Sequence, residues 1–301
     1  MRVVEVRAYA KINLDLRIVG RRPDGFHELR TIFQSIALHD TLVVRALRGV
    51  FGITCDMPGV PVDRTNLVWR AADALWKAAG RRGRVRGASI ELKKRVPPQA
   101  GLGGGSSDAA ATLLALNALW RLQLSHDDLH AVAATLGSDV PFFLVGGTAL
   151  GLGRGEHLYA LPDVTPSSIV LVQPPFGVST VDAYRWYRAG AAGRRSRART
   201  QQATLSGKRS AHTVVNDLEP AVVAKHPEIG RIRRQLGDEG AFLSLMSGSG
   251  SAVFGLFRER DAARAAAARF DRPGWRTVVT RTVRRSVAAP SVSVRTERKS
   301  G

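Results

Sequence analysis

The run Gly101-Leu102-Gly103-Gly104-Gly105-Ser106-Ser107-Asp108 passes without a break into AAATLLALNALW, an Ala/Leu helix. Four glycines in five positions let the backbone approach a ligand closely and turn successive N–H groups toward it. The helix behind them adds its unpaired N–H groups and the positive end of its dipole, which suits a phosphate. Ser106 and Ser107 can cap that helix or offer hydroxyls to phosphate oxygens or a Mg²⁺ ion. Two commoner glycine motifs fail here. No Lys follows the glycines, as a Walker loop requires, and Ser106 stands where a dinucleotide fingerprint needs its third Gly. A plain hinge is the competing reading, but hinges seldom sit directly at a helix start. A second cluster, Ser247-Gly248-Ser249-Gly250-Ser251, precedes an apolar strand. Alone it reads as a turn; beside the first it becomes a candidate second wall for a nucleotide.

Around these loops the pattern is mixed. From Ala10 the chain alternates, with Ile12, Leu14, Leu16 and Ile18 on one face and Lys11, Asn13, Asp15 and Arg17 on the other. Arg21 to Gly25 is a turn, and Thr31 to Leu38 resumes the extended pattern. Helices are predicted over Asn66–Ala79, Asp128–Leu136, Ala221–Leu236 and Asp261–Phe270, and strands over Ser89–Leu92, Ile169–Val172 and the end of Met246–Phe257. No regular βαβ alternation is present, so the expected class is α+β. At 301 residues the chain is long enough for two domains, expected over 1–154 and 155–286, with 287–301 a disordered tail.

Composition narrows the setting. A lone Cys55 can form no internal disulfide, and the first residues lack a continuous apolar stretch, so a cytoplasmic protein is expected. The uncharged run Val140 to Gly153 is shorter than the ~20 residues a bilayer helix needs, and no membrane partner is expected. The net charge of +20 favours anionic partners. Much of it lies in Arg81–Arg86, Arg194–Arg209 and the stretch after Arg281. The last two lack interleaved aromatics, so they read as solvated loops and a frayed tail rather than a nucleic-acid surface. His126 and His130 have the spacing of a metal pair but no third ligand, and read as a solvated helix start. On pattern alone Lys11 is a surface lysine, and Asp139, ahead of Pro141, is a helix cap.

Three segments together resemble the GHMP kinases: AYAKINLDL (Ala8 to Leu16), PPQAGLGGGSSDAAA (Pro97 to Ala111) and LMSGSGSAVF (Leu245 to Phe254). Further segments, among them PDGFHELRT, LGSDVPFFLVGGTALGLGRGE and FGVSTVDAY, follow in family order to about Arg285. Their details are most similar to members whose small-molecule substrate is a cytidine diphosphate-linked methylerythritol, in the non-mevalonate isoprenoid pathway. The resemblance implies a two-domain kinase fold with ATP, Mg²⁺ and substrate in the cleft between the domains. It implies that Lys11 and Asp139 are the catalytic pair and that Asn13 and Thr180 face the substrate. Phe26, His27 and Tyr184 would hold the cytosine. Asn66, Lys94 and the stretch Pro97, Pro98, Gln99, Ala100, Gly101, Leu102, Gly103, Gly104, Gly105, Ser106 and Ser107 would bind ATP. Two positions depart from the family pattern: Phe26 stands where Tyr is frequent, and Gln99 where some members have Gly. Other alcohols, of the homoserine or mevalonate kind, are the alternative within the family, and an inactive anion-binding protein is the alternative outside it. No Mg²⁺ ligand and no oligomeric state can be assigned from the sequence.

Overall fold

A computed structural model describes residues 2–191, 201–202, 213–288 and 293–296. The chain opens with a long hairpin, β1 (Arg2–Arg21) and β2 (His27–Val50). It continues through β3 (Gly52–Cys55), α1 (Leu67–Ala78), β4 (Arg86–Lys93), α2 (Gly104–Trp120), α3 (His126–Leu136), α4 (Phe142–Val145), β5 (Thr148–Gly153) and β6 (His157–Ala160). The second half contains β7 (Ser168–Gln173), α5 (Thr180–Ala191), β8 (Gln201–Gln202), β9 (Thr213–Val214), α6 (Glu219–Lys225), α7 (Pro227–Asp238), β10 (Leu243–Met246) and β11 (Val253–Phe257). Last come α8 (Arg260–Ala268), β12 (Arg276–Arg281), α9 (Arg285–Ala288) and β13 (Ser293–Thr296).

The first sheet runs β13-β1-β2-β4-β3, with β5 added to β2 and β6 to β5. The second is antiparallel, in the order β10-β11-β7-β12. Register shifts between Tyr9 and Ala10, Asn13 and Asp15, and Ile18 and Gly20 interrupt the β1–β2 ladder. Such bulges bend a strand and raise its twist, and β1 passes from one core to the next. Val4, Val6 and Ala8 pack with α1, α2 and α3. Ala10, Ile12 and Leu14 pack with Ile169, Leu171 and Phe254 of the second sheet, and Leu16 joins the layer formed with α6, α7 and α8.

Several sequence expectations change here. The first sheet extends through Ala160, and the second begins at Ser168, so the boundary moves from 154 to the segment between them. The reason is local: β6 folds back on β5 and shares its ladder. The tail is ordered in part, because Ser293–Thr296 pairs antiparallel with Arg2–Glu5, covering the otherwise open edge of β1. The helix expected over Ala221–Leu236 is two helices, broken at His226. Pro227 lacks an N–H and its ring clashes with the carbonyl four residues earlier, so it ends one helix and starts the next. Helix α5 was not anticipated, although Ser179-x-x-Asp182 is a capping pattern: the Ser179 hydroxyl accepts from the Asp182 N–H at 3.1 Å. The arginine-rich stretch 194–209 lies outside the described residues apart from Gln201–Gln202.

Candidate active site

A cleft of about 1690 Å³ opens between the two sheets. Its floor is made by the two glycine loops, which interlock. The Ser247 hydroxyl donates to the Gly101 carbonyl at 2.9 Å, and the Ala252 N–H donates to the Ala100 carbonyl at 3.2 Å. Gly101 has φ +71°, and a Cβ there would run into the Ser247 carbonyl oxygen. Gly103 shares that φ, and its Cβ would lie 2.6 Å from the Phe143 ring. These glycines are thus demanded by packing between loops as well as by access for a ligand. Helix α2 starts at Gly104 with Gly103 in the capping position and no side-chain cap, so its first N–H groups lack a capping side chain. The second loop is held from behind: Asn216 donates to the Met246 and Gly248 carbonyls, both at 2.8 Å, and Glu219 accepts from the Met246 N–H at 2.9 Å.

Lys11 is not on a solvated strand face. It is 3% exposed, and its ammonium donates to Asn13 Oδ1 at 2.6 Å and pairs with Asp139 Oδ2 at 3.3 Å. Asn13 in turn donates to Thr31 Oγ1 at 2.7 Å, which donates to the Asp15 carbonyl at 2.7 Å. Asp139 caps no helix. Helix α4 has Pro141 at its N-cap and no side-chain cap, and the Asp139 side chain keeps 34% of its surface open to the cleft. The carboxylate is therefore uncommitted to backbone and available to a ligand.

Lys94 is buried in a triad. Its ammonium meets Asp40 Oδ2 at 2.5 Å and Asp108 Oδ2 at 2.7 Å. Asp40 also accepts from the N–H groups of Arg95 and Val96, whereas Asp108 Oδ1 is buried without a partner. Two carboxylates beside one lysine leave a net negative charge in a dry place, so one carboxyl keeps its proton. Asp108, with the poorer set of donors, is that carboxyl, and burial, against the pull of Lys94, pushes it up to about 7. Unfolded, it would release its proton near the ordinary value of 3.8. The native state thus binds this proton more tightly, and its contribution to stability is lost as pH rises from about 4 to about 7. Denaturant titrations at pH 5 and pH 8 should show the wild type losing more stability over that interval than Asp108→Asn. Equal losses would show that Asp108 stays ionised.

At the other end of the cleft lie aromatic groups. The His27 and Tyr184 rings stack with centroids 5.0 Å apart, and Tyr187 approaches His27 edge-on at 6.0 Å. Burial, followed by the charges of Arg188 and Arg21, lowers the His27 pKa, so the ring is neutral near pH 7. Burial chiefly, with some effect of the Asp139 charge, raises the Tyr184 hydroxyl pKa. Thr180 Oγ1 lies 3.2 Å from Ser249 Oγ, joining α5 to the second glycine loop. Asn66 serves α1 as its N-cap, accepting from the Val68 N–H at 2.9 Å, yet still lines the cleft.

The cleft thus gathers Lys11, Asn13, Phe26, His27, Asn66, Lys94, Pro97 to Ser106, Asp139, Thr180 and Tyr184. Ser107 does not join them. Its hydroxyl donates to the Tyr9 carbonyl at 2.7 Å and ties α2 to β1, so its assignment to the nucleotide is corrected to a scaffold contact. The sequence reading also passed over Asp40, Asp108, Asn216 and Glu219. Asp108 closes the glycine motif itself, and Asn216 and Glu219 lie in NDLEP, so position next to a motif was the available signal.

Comparisons with known proteins identify the family. The family model of the GHMP kinases N terminal domain matches residues 66–147, and that of the GHMP kinases C terminal domain matches residues 203–274. A curated relative from Pelotomaculum thermopropionicum, 4-diphosphocytidyl-2-C-methyl-D-erythritol kinase, is 44% identical over 93% of this chain and 98% of its own. A crystal structure of a 4-(cytidine 5'-diphospho)-2C-methyl-D-erythritol kinase superposes with a TM-score of 0.75 at 39% identity, covering 92% of this chain and 98% of that one. Homoserine kinase from Cytophaga hutchinsonii, at 19% identity and a TM-score of 0.65 over 97% of each chain, shares the fold. No helix among the described residues is long and apolar enough to cross a membrane.

Proposed function

Because this chain belongs to the GHMP kinases, and within them to the family of the 4-diphosphocytidyl-2-C-methyl-D-erythritol kinases, we propose that it transfers the γ-phosphoryl group of ATP to a hydroxyl of 4-diphosphocytidyl-2-C-methyl-D-erythritol. The products are the 2-phosphate and ADP, within isoprenoid biosynthesis. One observation carries the reading: an uncapped helix start in a glycine loop, a Lys–Asp pair and an aromatic pocket share a single cleft. Phosphoryl transfer asks little covalent chemistry of a protein, so position and electrostatics suffice. Asp139, open to the cleft, accepts the proton of the attacking hydroxyl or orients that hydroxyl. Lys11, held at 2.6 Å by Asn13, faces the same oxygen and stabilises the charge that develops on it. The N–H groups at the start of α2 hold the triphosphate. A Mg²⁺ ion bound with ATP would offset the charge of the phosphates, and the Ser106 hydroxyl, lining the cleft at the start of α2, is the group on this chain that would hold it.

Neutral His27 offers a ring nitrogen to the edge of the cytosine, and Tyr184 covers a face. A stacked base is worth roughly 1–3 kcal/mol by alanine substitution in nucleic-acid proteins. Tyr184→Ala should therefore raise KM for the cytidine substrate by about tenfold to a hundredfold while KM for ATP stays nearly fixed. If both KM values rise together, Tyr184 supports domain closure instead. The function itself is tested by ADP release with purified protein. Release should depend on the cytidine-linked alcohol, and turnover with homoserine or mevalonate in its place would overturn the assignment.

A further inference from the structure

Three described residues other than glycine have a left-handed φ, and Gln99, at +51°, is the one that lines the cleft. Such a backbone is uncommon for a residue with a Cβ and persists where the surroundings hold it. Here they do. Gln99 stands at the entrance of the first glycine loop, and its carbonyl accepts from two other segments, the Val178 N–H at 3.3 Å and the Ser251 N–H at 3.4 Å. Its side chain lies against Gly177, where a Cβ would come within 2.6 Å of Gln99 Oε1 and 2.8 Å of Gln99 Cβ. Gly177 has no left-handed φ, so this contact and not the backbone calls for glycine there. The connection from β7 to α5, residues 174–179, is tied to both glycine loops along its length. At its start Gln173 Nε2 donates to the Pro98 carbonyl at 3.4 Å. In its middle the Phe176 carbonyl accepts from the Ser251 hydroxyl, and at its end Thr180 Oγ1 lies 3.2 Å from Ser249 Oγ.

We propose that Gln99 is a positioning residue for the substrate-facing helix: through Gly177 it sets where α5 begins, and so places Thr180 and Tyr184 relative to the triphosphate. This rests on the kinase reading above, which puts the alcohol beside α5 and ATP at the first glycine loop. A helix moves as a rod, so whatever fixes residues 176–179 fixes its first turn, and Tyr184 stands one turn after Thr180. Phosphoryl transfer needs its two reactants in line, and a displacement of about 1 Å can cost roughly 10²-fold in rate. The left-handed φ turns the Gln99 carbonyl toward Val178 and Ser251. Glycine would supply that backbone without strain, but it has no side chain to lay on Gly177. The nucleotide loop does not depend on the contact, because Ala100 and Gly101 are bound separately to the second loop, by the Ala252 N–H at 3.2 Å and the Ser247 hydroxyl at 2.9 Å.

A double-mutant cycle read in steady-state kinetics tests the contact. Gln99→Gly suits the φ of +51° and should melt close to the wild type. Its KM for the cytidine-linked alcohol should rise about tenfold while KM for ATP stays within about twofold. Gly177→Ala should raise the same KM by about tenfold, because the new Cβ drives the connection off Gln99. Once the Gln99 side chain is gone, that Cβ has only the Gln99 carbonyl oxygen near it, at an ordinary 3.4 Å, so the double variant should match Gln99→Gly alone. If Gly177→Ala raises the KM by the same factor in both backgrounds, the contact is incidental and the positioning role falls. A Gln99→Gly enzyme with both KM values at the wild-type level, or with both raised together, overturns it as well; in the second case the side chain serves the nucleotide loop. A wild type that releases no ADP with the cytidine-linked alcohol overturns the kinase reading and the positioning role together.

Discussion

Asp139→Asn is expected to lower kcat by roughly 10²–10⁴-fold, the usual contribution of a positioned proton acceptor. The substitution keeps the shape of the side chain and removes only its ability to take a proton. Lys11 would lose a partner at 3.3 Å but retain Asn13 at 2.6 Å, so the ammonium stays in place. The carboxylate caps no helix and is one-third exposed, so its loss should shift the melting temperature little. Affinity for ATP, which is held elsewhere in the cleft, should stay close to the wild-type value. Steady-state kinetics on the purified variant, with a thermal melt alongside, decide the matter. Near-normal turnover would remove Asp139 from the chemistry. A collapse of both activity and melting temperature would make it a structural residue.

Gly101→Ala should cost the most stability of any single methyl added to the cleft. Its φ of +71° is strained for any L side chain, and the new Cβ has no room against the Ser247 carbonyl oxygen. That oxygen is backbone and cannot swing aside, so the two glycine loops must separate. A loss of about 3 kcal/mol or more is expected, together with loss of nucleotide binding because the loop no longer presents its N–H groups. Gly105→Ala is the control. There the Cβ would meet Leu67 Cδ1 at 3.6 Å, an ordinary contact, and a helical Ala should leave stability unchanged or raise it by up to about 1 kcal/mol. Comparing the two melts separates the packing role of a glycine from its role in admitting phosphate. Equal melting temperatures for the two variants would mean that the loops are not locked together.

The glycine loop was legible because its demands are local: a sharp turn, a helix start and exposed N–H groups all follow from neighbouring residues. The class, the helices at α1, α3 and α8 and the strands at β7 and β11 were legible for the same reason, as each carries its own period and stop signals. Lys11 was misread on pattern alone because alternation reports polarity and not what covers it. The polar face of β1 looks inward, onto Asn13, Asp139 and the second glycine loop, and only tertiary contacts reveal that. The Lys94 triad was hidden for a related reason, since Asp40, Lys94 and Asp108 come from separate segments and meet only in the fold.

The path of β1 has a consequence for how the molecule is made. The Leu16 N–H bonds the Val215 carbonyl at 2.7 Å, and the Leu16 carbonyl accepts from the Asp217 N–H at 2.9 Å. The other end of the strand pairs with Ser293–Thr296. A chain leaving the ribosome therefore delivers its first strand long before that strand's partners exist, and pairings so distant in sequence are slow to close. Until then Ile12, Leu14 and Leu16 stay uncovered by the second half, as apolar surface open to solvent. The two halves thus share one strand, and a chain cut between them would leave Ile12, Leu14 and Leu16 without the cover that the second half supplies.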